Sequence, residues 1–183
     1  MATQGPLSPA TTVDDSSTGT VAWTNPNNSQ VSDNVYTTFT ASGGSQQQSH
    51  YLKATNFGFA IPTGATINGI LAEIEMNISS GTDWLATVRS VKGGVIGGVD
   101  RSDINKIYTT SDSYISYGSS SDLWGQTWTP TDINANDFGI ALNNYLTNLT
   151  TSIDHIRITV YYTEVISTLT GTSTLTGVQS LTI

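Results

Sequence analysis

Two carboxylates placed two residues apart are the first candidates for chemistry. Glu73 and Glu75 lie in the alternating segment 66–78, and positions two apart on a strand face the same side, about 6.5–7 Å from each other. Glycosidases use paired carboxylates at about this spacing, one of them with a pKa raised by burial. These two face away from the apolar side of the strand, so we expect a solvated pair that meets Arg89 or Arg157 across the sheet.

A histidine next to an aspartate raises the question of a Ser-His-Asp triad. Asp154 and His155 are adjacent in a strand-like segment, and the chain has 22 serines. Successive residues of a strand point to opposite faces, which predicts that the two side chains do not bond directly. His50 stands apart, and no nucleophile-elbow, zinc-protease or phosphate-loop motif occurs. We therefore predict that the protein is not an enzyme and uses no cofactor.

Two runs of Asp and Asn resemble the start of a calcium-binding loop. Asp132, Asn134 and Asn136 alternate as calcium ligands do, but Asp137 stands where such a loop requires glycine, and Asn143 replaces the closing glutamate. Capping of turns by Asx side chains explains these residues equally well. The second run consists of Asp100, Asp103 and Asn105, and capping explains it equally well. We predict no metal site in either run.

Aromatic residues cluster in an otherwise polar stretch. Trp124 and Trp128 stand four residues apart in SDLWGQTWTP, close in sequence to Tyr117. If their rings are exposed, they can stack on the apolar faces of sugars, and all three are candidates for glycan binding. If they are buried, the two tryptophans close the end of the fold, as large aromatic residues commonly do.

The elements that must position these residues are strands. The chain contains 30 Thr, 22 Ser and 13 Asn, together 65 of 183 residues, and this composition favours strands joined by hydrogen-bonding turns. Apolar and polar residues alternate most clearly in 66–78, 138–144 and 153–163. We predict seven to nine strands, no helix, and an all-β antiparallel sandwich of jelly-roll or immunoglobulin-like type spanning residues 20–163.

Both ends of the chain have a different pattern. Residues 1–19 show no apolar period, which predicts an extended N-terminal arm that is ordered only by a partner, with Leu7 and Val13 as contact residues. Residues 164–183 contain a near-repeat of six residues that can form a second arm or a trimeric β-structured shaft, or remain a flexible tail. The repeat aligns three leucines that are candidates for assembly contacts: Leu169, Leu175 and Leu181.

Charge and targeting signals exclude several function classes. The six Lys and Arg residues are scattered, and the net charge is −8, so no basic patch exists for nucleic acid. The chain has no Cys, no apolar run that would span a membrane and no signal peptide at its start. We expect a protein made in the cytoplasm without an export signal.

Several stretches together resemble a domain that recurs in uncharacterised structural proteins of tailed bacteriophages. They are DDSSTGTVAWTNPNN at 14–28, YLKATNFGFAIPTGATINGI at 51–70, DLWGQTWTPTDINANDFGIAL at 122–142 and DHIRITVYYT at 154–163. The resemblance covers residues 12–163. It implies a β-sandwich that assembles as trimers or on symmetric lattices, and it carries no catalytic residues.

The resemblance implies a non-enzymatic virion protein on the particle surface. We expect a capsid-decorating, capsid-stabilising or head-fibre subunit, held through its arms to the major capsid protein or to tail proteins, with a homotrimer favoured. The alternative is a tail-fibre or receptor-binding module that recognises host glycans through the aromatic cluster. Neither hypothesis involves a nucleic acid or a membrane as partner.

Overall fold

The computed structural model describes residues 1–165, and the prediction of an all-β antiparallel sandwich is confirmed. Two five-stranded sheets pack against each other around one apolar core. The described residues contain one short α-helix, α1, and twelve strands: β1 Ala2–Leu7, β2 Thr11–Asp15, β3 Thr37–Thr40, β4 Gln47–Gln48, β5 Tyr51–Thr55, β6 Thr66–Ile78, β7 Thr87–Lys92, β8 Val95–Gly97, β9 Ser113–Gly118, α1 Pro130–Asn134, β10 Gly139–Asn143, β11 Tyr145–Leu146 and β12 Thr150–Thr163.

The strand pairs identify the sandwich as a jelly roll. Five pairs nest inside one another along the described chain, namely β3 with β12, β4 with β11, β5 with β10, β6 with β9, and β7 with β8. This is the pairing of one long antiparallel ribbon folded back on itself. Winding the ribbon up brings β12 beside β6 in the first sheet and β10 beside β7 in the second. Of the two topologies that the sequence left open, the jelly roll is therefore the observed one.

The two longest strands carry the core of the first sheet. The alternation predicted for β6 is observed, since Ile70, Ala72, Ile74, Met76 and Ile78 are buried while Glu73 and Glu75 face outward. β12 lies antiparallel beside β6 along nearly its whole length and contributes Ile156, Ile158 and Val160 to the same core.

The N-terminal segment is not an arm that waits for a partner. β1 pairs with the second half of β12, and β2 pairs with β5, so residues 1–19 add one edge strand to each sheet. Leu7 is half-buried against the core of its own chain, while Val13 remains 39 % exposed. The prediction failed because an edge strand needs main-chain hydrogen bonds and few apolar side chains, so it shows little alternation in the sequence.

The short α-helix, and a 3-10 helix over Pro26–Ser29, were also missed. Pro130 occupies the first turn of the α-helix, and Thr129 and Asp132 form a reciprocal capping box, in which the Thr129 hydroxyl accepts from the Asp132 amide and Asp132 accepts from the Thr129 amide. The α-helix has only five residues, so composition and periodicity give almost no signal for it. Two further segments left unassigned contain strands β8 and β9.

The two ends of the sandwich are covered by different sets of loops. At the end that we call the terminal pole, β12 finishes at Thr163 beside Met1, and the loops 56–65 and 119–138 cross over the core. At the opposite end, the cleft pole, the loops 41–46, 79–86 and 147–149 meet. The twelve residue-to-residue steps along β12 from Thr151 to Thr163 separate the two poles by about 40 Å.

Candidate functional site

The predicted aromatic cluster is buried, so it cannot stack on a sugar. Trp124 and Tyr117 are 0 % exposed, and Trp128 is 8 % exposed. A glycan needs access to the face of a ring, and these rings are covered by the protein itself. The proposal that these three residues bind glycans is therefore wrong, and the alternative, in which the tryptophans close the end of the sandwich, is observed.

The tryptophans seal the terminal pole through both ring contacts and hydrogen bonds. Trp124 Nε1 donates to the Ile70 carbonyl at 2.9 Å, and Trp128 Nε1 donates to the Leu123 carbonyl at 2.9 Å. The ring of Trp128 meets Phe138 edge-on with centroids 5.3 Å apart. Both indole N–H groups are thus satisfied, as burial of a tryptophan requires.

Of the two candidate carboxylates, Glu73 forms an ion pair with Arg157. The guanidinium donates from Nε at 3.0 Å and from Nη2 at 3.1 Å, and it also lies 3.8 Å from the centroid of the Tyr114 ring. The hydrogen bond to Glu73 raises the pKa of Arg157. The expected ion pair across the sheet is confirmed for Glu73, with Arg157 and not Arg89 as the partner, because β12 is the neighbour of β6. The expectation that both carboxylates are solvated is wrong for Glu75, whose Oε2 is buried without a hydrogen-bond partner among the described residues.

Asp154 and His155 share a face, contrary to the argument made from strand alternation. The register between β12 and β6 shifts between Ile153 and His155, which inserts Asp154 as the extra residue of a β-bulge. Ile153 and Ile156 on either side of the bulge both belong to the apolar core, while Asp154 and His155 are 1 % and 8 % exposed. They still bind separate groups, since Asp154 Oδ1 accepts from the Asp33 amide at 3.3 Å. The absence of a direct bond was predicted, but for the wrong reason.

His155 joins several segments of the fold through its two ring nitrogens. Nε2 lies 2.8 Å from the Ser8 hydroxyl, and Nδ1 lies 2.8 Å from the Tyr114 hydroxyl. Burial, followed by the neighbouring Glu75 carboxylate, raises the pKa of Tyr114, so its hydroxyl stays protonated. In a neutral imidazole one ring nitrogen donates and the other accepts, so His155 donates to one of these two hydroxyls and accepts from the other. These bonds tie the β1–β2 connection to β12 and β9.

This network predicts a pH-dependent stability. Burial lowers the pKa of His155, against an opposing effect of Glu75. In the unfolded chain the imidazole titrates at about pH 6.5. As the pH is lowered from 7.5 to 5.5, the unfolded state therefore takes up the proton before the folded state does. The free energy of unfolding decreases as the pH decreases across this window. Urea unfolding at pH 7.5, 6.5 and 5.5 measures the slope. We expect it to flatten in His155→Gln; an unchanged slope in this variant contradicts the assignment.

The calcium-like runs serve as caps and ion pairs. Asp132 caps the helix and also pairs with Lys92 at 3.1 Å, while the Asn134 side chain bonds both the amide and the carbonyl of Ile61. In the second run, Asp100 accepts from the amides of Val88 and Ser102. Within residues 1–165 we find no group of three or more His, Asp or Glu side chains arranged to hold a metal ion.

The open aromatic site lies at the cleft pole, where sequence reasoning did not place one. Trp84 is 41 % exposed and Tyr145 is 44 % exposed. Both line a cleft of about 210 Å³, together with four other residues. The remaining lining residues are Gln46, Asp83, Ala86 and Asn144.

A buried polar network holds the floor of this cleft. The Asn144 side chain is 0 % exposed; its Nδ2 lies 2.9 Å from Asp83 Oδ2 and 2.6 Å from the Tyr108 hydroxyl, and its Oδ1 accepts from the Tyr145 amide. The Tyr108 hydroxyl lies 3.1 Å from Asp83 Oδ2 and 2.8 Å from the Thr151 hydroxyl. Burial, followed by the charge of Asp83, raises the pKa of Tyr108 far above its usual range, so the hydroxyl remains a donor. The network fixes the Asp83 carboxylate at the cleft.

The sequence contained a signal for this site. Trp84 lies in SSGTDWLAT, a polar and glycine-bearing loop of the same kind as the one around Trp124. The criterion of an aromatic ring on a polar loop applied to both tryptophans. Only the path of each loop over the core separates the exposed ring from the buried one.

A larger, open depression of about 560 Å³ lies beside loop 100–106, where Arg101 pairs with Asp122 at 2.6 Å.

No helix within the described part of the chain is long and apolar enough to cross a membrane. Neither a protein-family model nor a curated protein matches the sequence.

Proposed function

We propose that this chain is a non-enzymatic structural protein of a tailed-bacteriophage particle, exposed on the capsid as a decorating, stabilising or head-fibre subunit. The jelly-roll topology supports this proposal, because viral capsid proteins use the same fold. Lectins and cupins use it too, so the topology alone does not specify a function. A particle role needs support from the way the subunit can be attached.

The observation that carries the proposal is that the described chain begins and ends at one pole. Ala2 pairs with Tyr162, and Met1 and Ala2 line a shallow cavity of about 300 Å³ with Thr163 and Glu164. The last described residues, Glu164 and Val165, therefore lie at the terminal pole. Attachment through this pole presents the cleft pole outward, about 40 Å away along β12.

The C-terminal repeat supplies the proposed anchor. Leu169, Leu175 and Leu181 lie outside the described residues, and their spacing of six is an even number. In an extended chain an even period puts all three leucines on one side. Such an edge can lie along a neighbouring subunit, either the major capsid protein, a tail protein or two further copies in a trimer. We assign the anchoring role to this segment alone, because residues 1–19 already belong to the sandwich.

The resemblance to phage structural domains also supports the proposal, because it falls on residues that form the core of the sandwich. Its four stretches supply much of the core, including Trp23, Phe57, Trp124 and Phe138. Two of these stretches, 51–70 and 122–142, meet in one place, since Phe138 contacts Phe59 at a centroid distance of 5.7 Å and Trp128 at 5.3 Å. Related particle proteins with these residues would close the terminal pole in the same way.

The proposal is tested by the copy number of the chain in purified particles of the phage that encodes it. Quantitative mass spectrometry against the major capsid protein is the measurement. Hundreds of copies support a capsid-decorating subunit, and a dozen or fewer support a vertex or tail location. Absence from particles that are otherwise complete rejects a virion role.

The anchor is tested in the full chain by Leu169→Ser, Leu175→Ser and Leu181→Ser in combination. We expect the variant to keep its folded sandwich and to lose at least ten-fold in occupancy when it is added to particles that lack the protein, because the apolar edge is removed. Thr170→Ser, Thr176→Ser and Thr182→Ser form the matched control in the residues that follow each leucine. Equal occupancy of the leucine variant and the control refutes the anchor, and light scattering of both reports any trimer.

A further inference from the structure

We propose that the cleft between Trp84 and Tyr145 binds a neutral carbohydrate, with one sugar ring stacked on the exposed aromatic side chains and its hydroxyls bound by Asp83 and Gln46. All four residues line the same cleft. This binding site is independent of whether the subunit is attached to a particle. If it is, the site lies at the pole that points outward.

The exposure of Trp84 distinguishes it from every other tryptophan of the chain. Trp23, Trp124 and Trp128 are 4 %, 0 % and 8 % exposed, whereas Trp84 is 41 % exposed. Leaving the apolar surface of an indole in water forgoes a large part of the roughly 25 cal/mol per Å² that burial provides. A second exposed ring, Tyr145, lines the same cleft, so the apolar surface is concentrated in one place and can be covered by one ligand.

The polar groups at the cleft are held in position before any ligand arrives. Asp83 Oδ2 is occupied by Asn144 Nδ2 at 2.9 Å and by the Tyr108 hydroxyl at 3.1 Å. No hydrogen bond within residues 1–165 engages Asp83 Oδ1, which leaves this oxygen available to accept from a ligand hydroxyl. A preorganised acceptor binds without the entropic penalty of ordering its side chain.

The chemistry of the lining favours a sugar over an apolar or an anionic ligand. A pyranose ring has an apolar C–H face that fits an aromatic ring and hydroxyls at its edge that donate to carboxylate and amide oxygens. Asp83 forms no ion pair with any side chain of the described residues, so its charge disfavours anionic ligands. The cleft, at about 210 Å³, is smaller than the roughly 300–1,000 Å³ of sites for drug-sized molecules, which suits a single ring.

Tryptophan fluorescence gives a direct measurement, because Trp84 is the indole that a solvent quencher reaches most readily. The probes are the methyl glycosides of glucose, galactose, mannose and N-acetylglucosamine, titrated to millimolar concentrations into the full chain. We expect at least one glycoside to protect Trp84 from acrylamide quenching and to shift amide resonances of the loops 79–86 and 144–149. If none of these glycosides changes either signal, the proposal is rejected.

Variants separate the stacking contact from the hydrogen bond. For the glycoside that binds, we expect Trp84→Ala and Asp83→Asn each to weaken binding at least ten-fold by amide-resonance titration, while Trp84→Phe retains part of it. Val95→Ala, an exposed side chain in β8 outside the cleft lining, is the matched control. Unchanged affinity in Trp84→Ala overturns the proposal. Circular dichroism confirms that each variant is folded, and because binding is measured on the isolated protein, its failure is distinct from a failure to join particles.

Discussion

Trp124→Ala is expected to lower the free energy of unfolding by about 3–5 kcal/mol, the range found when large aromatic side chains are removed from cores. The indole is 0 % exposed at the terminal pole, and its Nε1 donates to the Ile70 carbonyl. Truncation leaves a cavity beneath loop 119–138 and an unpaired carbonyl next to it. Since small domains are stable by only about 5–15 kcal/mol, this single change removes a large part of the total. Urea unfolding followed by circular dichroism measures the difference.

Trp84→Ala is the control for this prediction. Both changes remove an indole from a polar loop of the sandwich, but Trp84 is 41 % exposed and closes no part of the core. We expect its effect on unfolding to stay below about 1 kcal/mol, since substitutions at exposed positions are usually small. Equal destabilisation by the two substitutions is incompatible with Trp124 closing the pole.

Gly139→Ala is expected to destabilise the second sheet by about 2–4 kcal/mol. Gly139 begins β10, which lies between β5 and β7. A Cβ at this position would lie 1.8 Å from the carbonyl oxygen of Ala54, which belongs to the main chain of β5. A main-chain atom in the middle of a sheet cannot move aside as a flexible side chain can, so the strands must separate. Thermal unfolding measures the loss.

Gly97→Ala provides a matched control within the same sheet. Gly97 is the last residue of β8, it has no left-handed backbone angle, and the nearest atom to an added Cβ is Gln126 Nε2 at 3.9 Å. The added methyl group makes only an ordinary van der Waals contact, and the loss of chain entropy in the unfolded state favours the variant by about a few tenths of a kcal/mol. A stable Gly139→Ala variant that matches Gly97→Ala shows that β5 and β10 do not approach as closely as described.

The parts of the fold that could be predicted are the strands in which one face is buried in the core and the other is exposed to solvent. β6 and β12 have this property along most of their length, so their side chains alternate and their faces were assigned correctly at Ile74 and Ile158. The ion pair of Glu73 with Arg157 followed from the same alternation. The bulge at Asp154 interrupts this alternation. It could not be predicted, because nothing in the local sequence identifies the residue that is inserted without a partner on the neighbouring strand.

The candidate site could not be predicted for a different physical reason. Trp84 and Trp124 occur in similar polar loops, and no local property separates them. Trp124 is buried because loop 119–138 crosses the terminal pole and places the indole against Ile70. The loop before β7 does not cover the core in this way, and Trp84 stays in solvent.

What the sequence by itself determined is the sandwich and its central strands, because hydrophobic periodicity and composition act locally. Only the tertiary structure decided that β1 and β2 complete the sheets, that the two described ends share a pole, and that the accessible aromatic rings are those of Trp84 and Tyr145. Edge pairing and loop closure depend on contacts between residues far apart in the chain, such as Ala2 with Tyr162. Those contacts form only when the ribbon is wound into the jelly roll, and no short segment encodes them alone.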